Sequence, residues 1–283
     1  MTSPRIEPAT ACSDQQLAAL FTRGYEGYYT PIVLDAAAFR AMVVASDIDL
    51  ASSRVVSTAD GQVAFALLGV REVRGWIGGM GVVPGVRGRG LGRAVMEAVL
   101  SSAALLRLES VDLEVLERNA PAIPIYEALG FRDRRIVEVW VREPGSLPAA
   151  PAALPSVVDV PVAECLRRHA SLHRVRPPWQ RDLPALWHWA DRLSACAVRS
   201  GDDFAAWVLY REDGKRLNIA DAALPGGASP LALEAALRSI LATHPDTTLT
   251  LVNLPVSDSA GEVLRRLGAT VTMRQREMTR AGA

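Results

Sequence analysis

The chain repeats part of its own sequence after about 138 residues, and this repeat constrains the possible folds more than any other feature. Four short matches keep the same order and nearly the same spacing. They pair Pro84-Gly85 with Pro225-Gly226, residues 96–100 with 233–237, Leu113-Glu114-Val115 with Leu251-Val252-Asn253, and Leu129-Gly130 with Leu267-Gly268. Between them, residues 144–156 (PGSLPAAPAALPS) lack hydrophobic periodicity, which predicts an extended linker. We therefore predict two domains of similar fold, residues 1–143 and 157–283.

The hydrophobic pattern of the first half predicts a mixed α/β domain. The predicted helices are 13–24, 35–46, 92–107 and 119–129, and the predicted strands are 53–57, 62–70, 75–83, 111–116 and 131–142. Asn119 is expected at the cap of the last helix, and Gly130 just past its end. Helices followed by a strand meander and then by alternating elements predict a mixed, mostly antiparallel sheet with helices on both faces.

Charge and composition narrow the function classes. The 31 basic residues balance 31 acidic ones, whereas nucleic-acid binders usually carry a basic excess, so no nucleic-acid partner is predicted. No apolar run is long enough to cross a membrane and the N-terminus does not resemble a leader peptide, so we expect a soluble, cytoplasmic protein. The 3 cysteines are far apart and form no CxxC pair, which predicts neither a disulfide framework nor a metal site.

A glycine-rich segment, residues 82–93 (VVPGVRGRGLGR), joins a predicted strand to a predicted helix. Glycine lets backbone N–H groups approach an anion and adopt a positive φ. The unpaired N–H groups at the start of the helix face the same point, and three arginines add positive charge. The glycine spacing fits neither a Walker A loop nor a GxGxxG dinucleotide fingerprint. The segment therefore predicts a site for a phosphate-bearing ligand of another kind.

The stretch Arg87-Gly88-Arg89-Gly90-Leu91-Gly92 resembles the R/Q-x-x-G-x-G/A motif of the GNAT superfamily of N-acetyltransferases. Leu113-Glu114-Val115, with Asn119, Tyr126 and Leu129-Gly130-Phe131 after it, resembles the second segment of that family. The resemblance implies two tandem GNAT-like domains, with acetyl-CoA as cosubstrate and no metal. The implied cosubstrate-binding residues are Met80, Val82, Val83, Arg87, Gly88, Arg89, Gly90, Leu91, Gly92, Arg93 and Asn119. The loop amides would bind the pyrophosphate, and the Met80 N–H would face the thioester carbonyl.

The same resemblance implies the catalytic residues. Tyr126 matches the general acid that protonates the leaving CoA thiolate; the alternative is an aromatic anchor for its helix. Glu114 matches a proposed base in one branch of the family; the alternative is that it only supports the sheet. The strand at 75–83 carries no carboxylate, so a water relay to Glu114 or to Glu26 would be needed.

The segment Arg23–Pro31 joins the first two helices, a connection that borders the acceptor pocket in GNAT folds. Glu26, Tyr28 and Tyr29 are the predicted acceptor-binding residues, and a packed aromatic turn is the alternative. The predicted reaction is direct transfer of an acetyl group to a primary amine of a small molecule or peptide. A non-catalytic acyl-CoA-binding regulatory module is the alternative function.

The second half is predicted to be a degenerate copy of the first. Leu264, Ser257 and Val252 stand at the places of Tyr126, Asn119 and Glu114, and the connection after Pro225-Gly226 is shorter. The most unusual segment of this half is residues 173–181 (HRVRPPWQR). Its Trp179 is predicted either to line a cleft or to anchor a surface loop.

Overall fold

A computed structural model describes residues 4–29, 32–59, 61–173 and 175–282. The chain forms two compact units. The N-terminal unit comprises residues 1–134 and 276–283, and the C-terminal unit comprises residues 135–275. Of the segments singled out above, Thr30, Pro31 and Arg174 lie outside the described residues.

The first ten elements follow the predicted order, apart from β1, which was not predicted. They are β1 (Arg5–Pro8), α1 (Asp14–Gly24), α2 (Ala36–Ala45), β2 (Arg54–Thr58), β3 (Gly61–Arg71), β4 (Arg74–Val82), α3 (Leu91–Leu105), β5 (Ser110–Leu116), α4 (Ile123–Ala128) and β6 (Arg132–Arg142). Capping explains two of the helix starts. Ser13 and Gln16 form a reciprocal capping box at α1, and Asp35 accepts the Ala38 N–H at α2.

The remaining elements repeat this order. They are β7 (Val158–Asp159), α5 (Val162–Leu172), α6 (Leu183–His188), β8 (Ser194–Ser200), β9 (Asp203–Asp213), β10 (Arg216–Ala223), α7 (Pro230–Thr243), β11 (Thr248–Pro255), α8 (Ala260–Arg266) and β12 (Thr270–Ala281). The two matched glycines both end a helix in the left-handed conformation: Gly130 follows α4 with φ 92°, and Gly268 follows α8 with φ 85°. The internal repeat is thus a repeat of structure.

Each unit contains the predicted mixed, mostly antiparallel sheet. In the N-terminal unit β1 to β4 are antiparallel neighbours in chain order, and β5 runs parallel to β4. In the C-terminal unit β7 to β10 repeat this arrangement, with β11 parallel to β10 and β6 antiparallel to β11. The last strand is divided: residues 270–275 of β12 belong to the C-terminal unit and residues 276–281 to the N-terminal unit, beside β5.

The two faces of the N-terminal sheet are covered by different helices. The predicted apolar stripe of α3 (Val95, Met96, Val99 and Leu100) is buried with Tyr126 of α4 and with alternate residues of β3 and β5. On the opposite face, Phe21 of α1 stacks on Phe65 of β3, with ring centroids 5.1 Å apart. Strand residues therefore alternate between the two layers, as the pleat requires.

Helix α4 begins later than predicted. Ala122 is its N-cap residue, and Asn119 lies in the preceding turn, where its carbonyl accepts the Ala122 N–H. The N–H groups of Ala122 and Ile123 both donate to the Asn119 carbonyl, which closes a turn before the helix, and Pro124 occupies the first helical turn. The prediction that Asn119 caps this helix was wrong, while Gly130 lies just past its end as predicted.

Residues 144–156 contain no helix or strand, yet they pack on the C-terminal unit. Leu147 and Leu154 contact its core, and the Arg238 guanidinium donates to the carbonyls of Pro148 and Ala149. The predicted boundary between the two domains lies in this segment, so that each domain would be one continuous stretch of the chain. The compact units divide near residues 134 and 275 instead, because β6 and β12 cross from one unit into the other.

None of the described helices is both long enough and apolar enough to span a membrane.

Candidate functional site

The parallel pair β4 and β5 separates toward its C-terminal end. The two strands pair only from Arg74 to Trp76 of β4, opposite Ser110 to Asp112 of β5. Beyond this point the described residues of β4 keep their antiparallel partners on β3. A register shift opposite Leu67 and Leu68 marks a bulge at Gly78. The separation leaves the β5-facing edge of β4, including the backbone of Met80 and Val82, unpaired with β5, and the gap between the two strands is called the cleft below.

The glycine-rich loop lies directly after this splayed strand. Gly88 and Gly90 have φ values of 76° and 79°, and a Cβ atom at either position would meet no other atom within 4 Å. The space in front of the loop is therefore open, while the backbone conformation favours glycine. Gly90 precedes α3, whose first intrahelical bond runs from the Ala94 N–H to the Gly90 carbonyl. The amides of residues 91–93 come before that donor, as an anion-binding helix start requires.

Gly92 faces inward, unlike the other two glycines of the motif. A Cβ atom there would lie 3.5 Å from Val82, 3.8 Å from Met80 and 3.9 Å from Ile125. Helix α3 thus approaches the end of β4 closely. This contact sets the position of the loop relative to the splayed strand.

The three arginines of the loop have different surroundings. Arg87 donates to the carbonyl of Val82 at 2.8 Å, of Gly24 at 3.0 Å and of Glu26 at 2.8 Å. Its guanidinium therefore joins the glycine-rich loop to the predicted acceptor segment. Arg93 pairs with Glu97 one turn further along α3, at 2.8 Å, and Arg89 is exposed. Arg89 and Arg93 remain the better placed of the three to face a phosphate.

Three tyrosine hydroxyls converge beside the splayed strand. Tyr126 is 7% exposed, and its ring packs edge-on against Phe131 at 6.0 Å. Burial raises the pKa of Tyr126 above its usual value, with further increases from Tyr25 and Tyr28. Burial also raises the pKa of Tyr25, although the Met80 N–H, which donates to its hydroxyl, partly opposes this. A phenol in this environment stays protonated at neutral pH and is available as a proton donor.

The predicted acceptor segment contacts the turn that follows β5. Tyr29 donates from its hydroxyl to the Arg118 carbonyl at 2.7 Å, and the Arg118 guanidinium lies 4.5 Å from the centre of the Tyr29 ring. Tyr28 is hydrogen-bonded by the Asn119 side chain; burial raises its pKa and that bond lowers it. Glu26 is exposed, and its carbonyl is held by Arg87. Tyr28 and Asn119, predicted for different ligands, are thus direct neighbours.

Glu114 lies on the opposite face of β5 from Tyr126. Leu113 and Val115 are buried in the same cluster as Tyr126, so the residue between them points away from that cluster. On its own face, Glu114 accepts a hydrogen bond from the Trp76 indole at 2.8 Å. Among the described residues, Glu114 and Tyr126 therefore face opposite sides of β5, so a proton from an amine near Tyr126 has no direct path to Glu114.

Tyr25 is the site residue that sequence reasoning missed. It belongs to the predicted acceptor segment, but only Tyr28 and Tyr29 were singled out there. Tyr25 follows Phe21 by four residues, and their rings stack at 4.7 Å. This spacing is typical of a helix packing against a core, so it carries no signal for a hydroxyl aimed at the cleft.

Comparisons with known proteins agree with this geometry. Residues 18–131 match the model of the acetyltransferase (GNAT) family. A mycothiol acetyltransferase from Clavibacter michiganensis subsp. michiganensis is 39% identical over 79 residues, a match covering 28% of this chain and only 26% of that protein.

Solved structures resemble the chain over its whole length. A GCN5-related N-acetyltransferase from Sphaerobacter thermophilus aligns with a TM-score of 0.72 at 17% identity, covering 99% of this chain and 97% of that one. A tandem GNAT protein from the clavulanic acid biosynthesis pathway aligns with a TM-score of 0.68 at 16% identity, covering 99% of both chains. At such identities the likeness concerns the fold. Residues 18–131 therefore match the acetyltransferase (GNAT) family, and the whole chain has the fold of these tandem structures.

Proposed function

We propose that the N-terminal unit transfers the acetyl group of acetyl-CoA directly to a primary amine of a small-molecule or peptide acceptor. The observation that carries this proposal is the separation of β4 from β5 next to an open glycine loop, with the buried Tyr126 packed in the same cluster as Met80 and Val82. A slot between two strands accommodates an extended chain that pairs with backbone groups. The adjoining helix start suits a phosphate group.

The glycine-rich loop and the start of α3 support acetyl-CoA as the ligand. Gly88 and Gly90 leave open space in front of the loop, and the amides of residues 91–93 precede the first helical bond. We assign the pyrophosphate to these amides with Arg89 and Arg93, and the pantetheine arm to the edge of Met80, Val82 and Val83. When bound, acetyl-CoA supplies an activated acetyl group as a thioester.

Tyr126 is proposed as the general acid for the leaving thiolate. Its raised pKa keeps the hydroxyl protonated, and its neighbours at the cleft are other phenols rather than charged groups. The proton passes to sulfur as the carbon–sulfur bond breaks, so the hydroxyl is needed mainly in the transition state. The Met80 N–H is the proposed donor to the carbonyl oxygen, where negative charge develops.

The acceptor amine must lose a proton to react. Deprotonating a lysine-like amine with a pKa near 10.4 costs about 4.6 kcal/mol at pH 7, whereas an α-amine near 8 costs about 1.4 kcal/mol. The Trp76 bond turns Glu114 away from Tyr126, so water must relay the proton to Glu114 or to Glu26. A site with so indirect a base favours acceptors of low amine pKa. Tyr28, Tyr29 and Glu26 are the proposed acceptor contacts.

The test is a panel of primary amines of graded pKa, incubated with the full chain and acetyl-CoA. Thiol release is followed with a dye, and N-acetyl products are identified by mass spectrometry. We expect slow thiol release without acceptor and faster release with the best amines. A chain that binds acetyl-CoA but releases no thiol under any condition would instead be an acyl-CoA-binding regulatory module.

A further inference from the structure

A buried polar cluster lies in the C-terminal unit, at the place where β10 separates from β11. The two strands pair as far as Ile219 and Leu251, and β10 then bulges before Asp221. The Asp221 side chain is fully buried. Its Oδ1 accepts from Arg181 at 2.9 Å, and its Oδ2 accepts from the Trp207 indole at 3.0 Å and contacts His173 Nε2 at 2.9 Å. His173 and Arg181 are the two ends of the unusual segment 173–181.

Arg181 has more hydrogen-bond donors than partners. It is only 2% exposed, and its Nη2 is bound to Asp221. Its Nε and Nη1 atoms are buried and have no hydrogen-bond partner among the residues that the structure describes. Buried donors without acceptors are unfavourable and rare in native proteins, so these two N–H groups call for an acceptor that the chain itself does not supply.

A cavity of about 460 Å³ adjoins this cluster, and Arg181 and His173 line it. Its volume is in the range of small-molecule sites. Most of the other lining residues are apolar or glycine, among them Leu172, Val175, Leu224 and Pro255. The one carboxylate in the lining, Asp258, is engaged at the start of α8, where it accepts the Ala260 N–H.

The unpaired donors of the cluster favour a hydrogen-bond acceptor over a metal cation. Burial alone would raise the pKa of Asp221, but His173, Arg181 and His169 outweigh it and hold that pKa well below its usual range. The imidazoles of His169 and His173 and the Asp221 carboxylate offer ligand atoms within 4.8 Å of one another. However, Arg181 and Trp207 already occupy both oxygens of that carboxylate, and the guanidinium repels a cation.

The cavity does not resemble the acetyl-CoA cleft of the N-terminal unit. The connection at residues 224–229 carries no arginine, and Leu264 stands at the place of Tyr126. Ser229 caps α7 by accepting the Leu231 N–H, so this helix start is partly satisfied by its own side chain. A bulky phosphate carrier has little to bind here, whereas one buried guanidinium between apolar walls suits a single negative group on an apolar body.

We propose that this cavity binds a small monocarboxylic acid, with the carboxylate on Arg181 and the apolar body against Leu172, Val175 and Leu224. The site is separate from the cleft of the proposed acetyl transfer and does not depend on that function. Asp221 holds the guanidinium in place while it remains paired. Both N–H groups are buried, so a small shift of the guanidinium toward the cavity has to bring them to the carboxylate, which then supplies the acceptor that they lack.

The test measures binding of hexanoate and benzoate to the full chain by calorimetry, with hexanamide and benzamide as neutral controls of the same shape. We expect saturable binding of an acid and none of its amide. Arg181→Lys, which keeps the charge but not the guanidinium donors, should weaken binding by about tenfold or more. Val175→Trp should block the cavity without disturbing the Arg181–Asp221 pair, since Val175 is 56% exposed.

Other outcomes would overturn the proposal. Absence of binding by either acid, equal binding of acid and amide, or unchanged binding in both variants would show that no such site exists. If inorganic phosphate binds as tightly as hexanoate, the apolar walls do not contribute to binding, and the proposed preference for an apolar acid is wrong. Displacement of hexanoate by acetyl-CoA would make the cavity a CoA site, and stabilisation by Zn²⁺ that is lost in His169→Ala would make it a metal site.

Discussion

The backbone N–H of Met80 donates a hydrogen bond to the hydroxyl of Tyr25. This N–H is the group that we assign to the carbonyl oxygen of the acetyl donor. A tyrosine from the predicted acceptor segment therefore already accepts the hydrogen bond that we assign to the acetyl group. Ligand binding has to exchange one hydrogen bond for another, so part of the binding free energy is offset.

Tyr25→Phe should tighten acetyl-CoA binding. The variant removes the competing acceptor but keeps the ring that stacks on Phe21. A typical intramolecular hydrogen bond contributes roughly 0.5–1.5 kcal/mol, so we expect Kd to fall by about twofold to tenfold. Titration calorimetry measures the change, with Tyr210→Phe in the C-terminal unit as the matched control. A weaker Kd in Tyr25→Phe would mean that the hydroxyl contacts the ligand directly.

Gly90→Asp should abolish acetyl-CoA binding, whereas Gly90→Asn should retain much of it. Both side chains tolerate a positive φ better than most, and both meet open space at this position. Only the carboxylate repels a pyrophosphate. Gly214→Asp, at φ 58° in the β9–β10 hairpin, controls for the cost to folding. Equal binding by the two Gly90 variants would place the pyrophosphate elsewhere.

Tyr126→Phe should lower kcat by about 10²- to 10⁴-fold with little change in the Kd of acetyl-CoA, because the hydroxyl acts only as the thioester breaks. Since burial raises its pKa, Tyr126 should stay protonated above about pH 10, and the wild-type rate should show no alkaline loss below that pH from this group. Single-turnover kinetics across pH provide the measurement. If Tyr126 only packs against Phe131, the variant will lose thermal stability and keep its turnover.

Acetyl-CoA should bind at one site per chain. The N-terminal unit has the complete glycine-rich loop, whereas the corresponding connection of the C-terminal unit is shorter and lacks its arginines. Calorimetric titration of the full chain gives the stoichiometry, and Gly90→Asp should remove the single transition. Two equivalent sites would contradict the assignment of the C-terminal copy as degenerate.

Folding stability should decrease as the pH falls from about 7.5 to 5.5, in part through His169. Burial lowers the pKa of His169, although Asp221, Asp182 and the Arg181 carbonyl oppose that effect and His173 adds to it. A group whose folded pKa is depressed stabilises the fold above its unfolded pKa, and this contribution is lost as the pH drops. Urea unfolding at several pH values should show a flatter dependence for His169→Phe than for the wild type. His188→Phe, at an exposed position, should keep the wild-type slope.

Local patterns in the sequence were sufficient for most of the elements and for the backbone conformation of the glycine-rich loop. The apolar stripe of α3, the capping residues Ser13 and Asp35 and the glycines at 88 and 90 act within a few residues of themselves. Their spacing therefore predicts helix starts, buried faces and positive φ angles without knowledge of the rest of the chain. Asn119 shows where this reasoning fails, because its side chain bonds to Tyr28 of a distant segment and the helix begins after Ala122 instead.

Only the tertiary structure decided which distant groups meet. Arg87 donates to the carbonyls of Gly24 and Glu26, and Tyr25 accepts from the Met80 amide. The sequence does not predict either pairing, because backbone carbonyls and amides occur at almost every residue. Arg181 and Asp221 are 40 residues apart in the sequence, and they meet because the fold places them next to each other. The division of β12 between the two compact units is likewise a property of the fold and not of its local sequence. The sequence by itself determined local conformation, because local conformation depends on neighbours along the chain. The candidate site depends on contacts between distant residues, and these contacts form only when the whole domain folds.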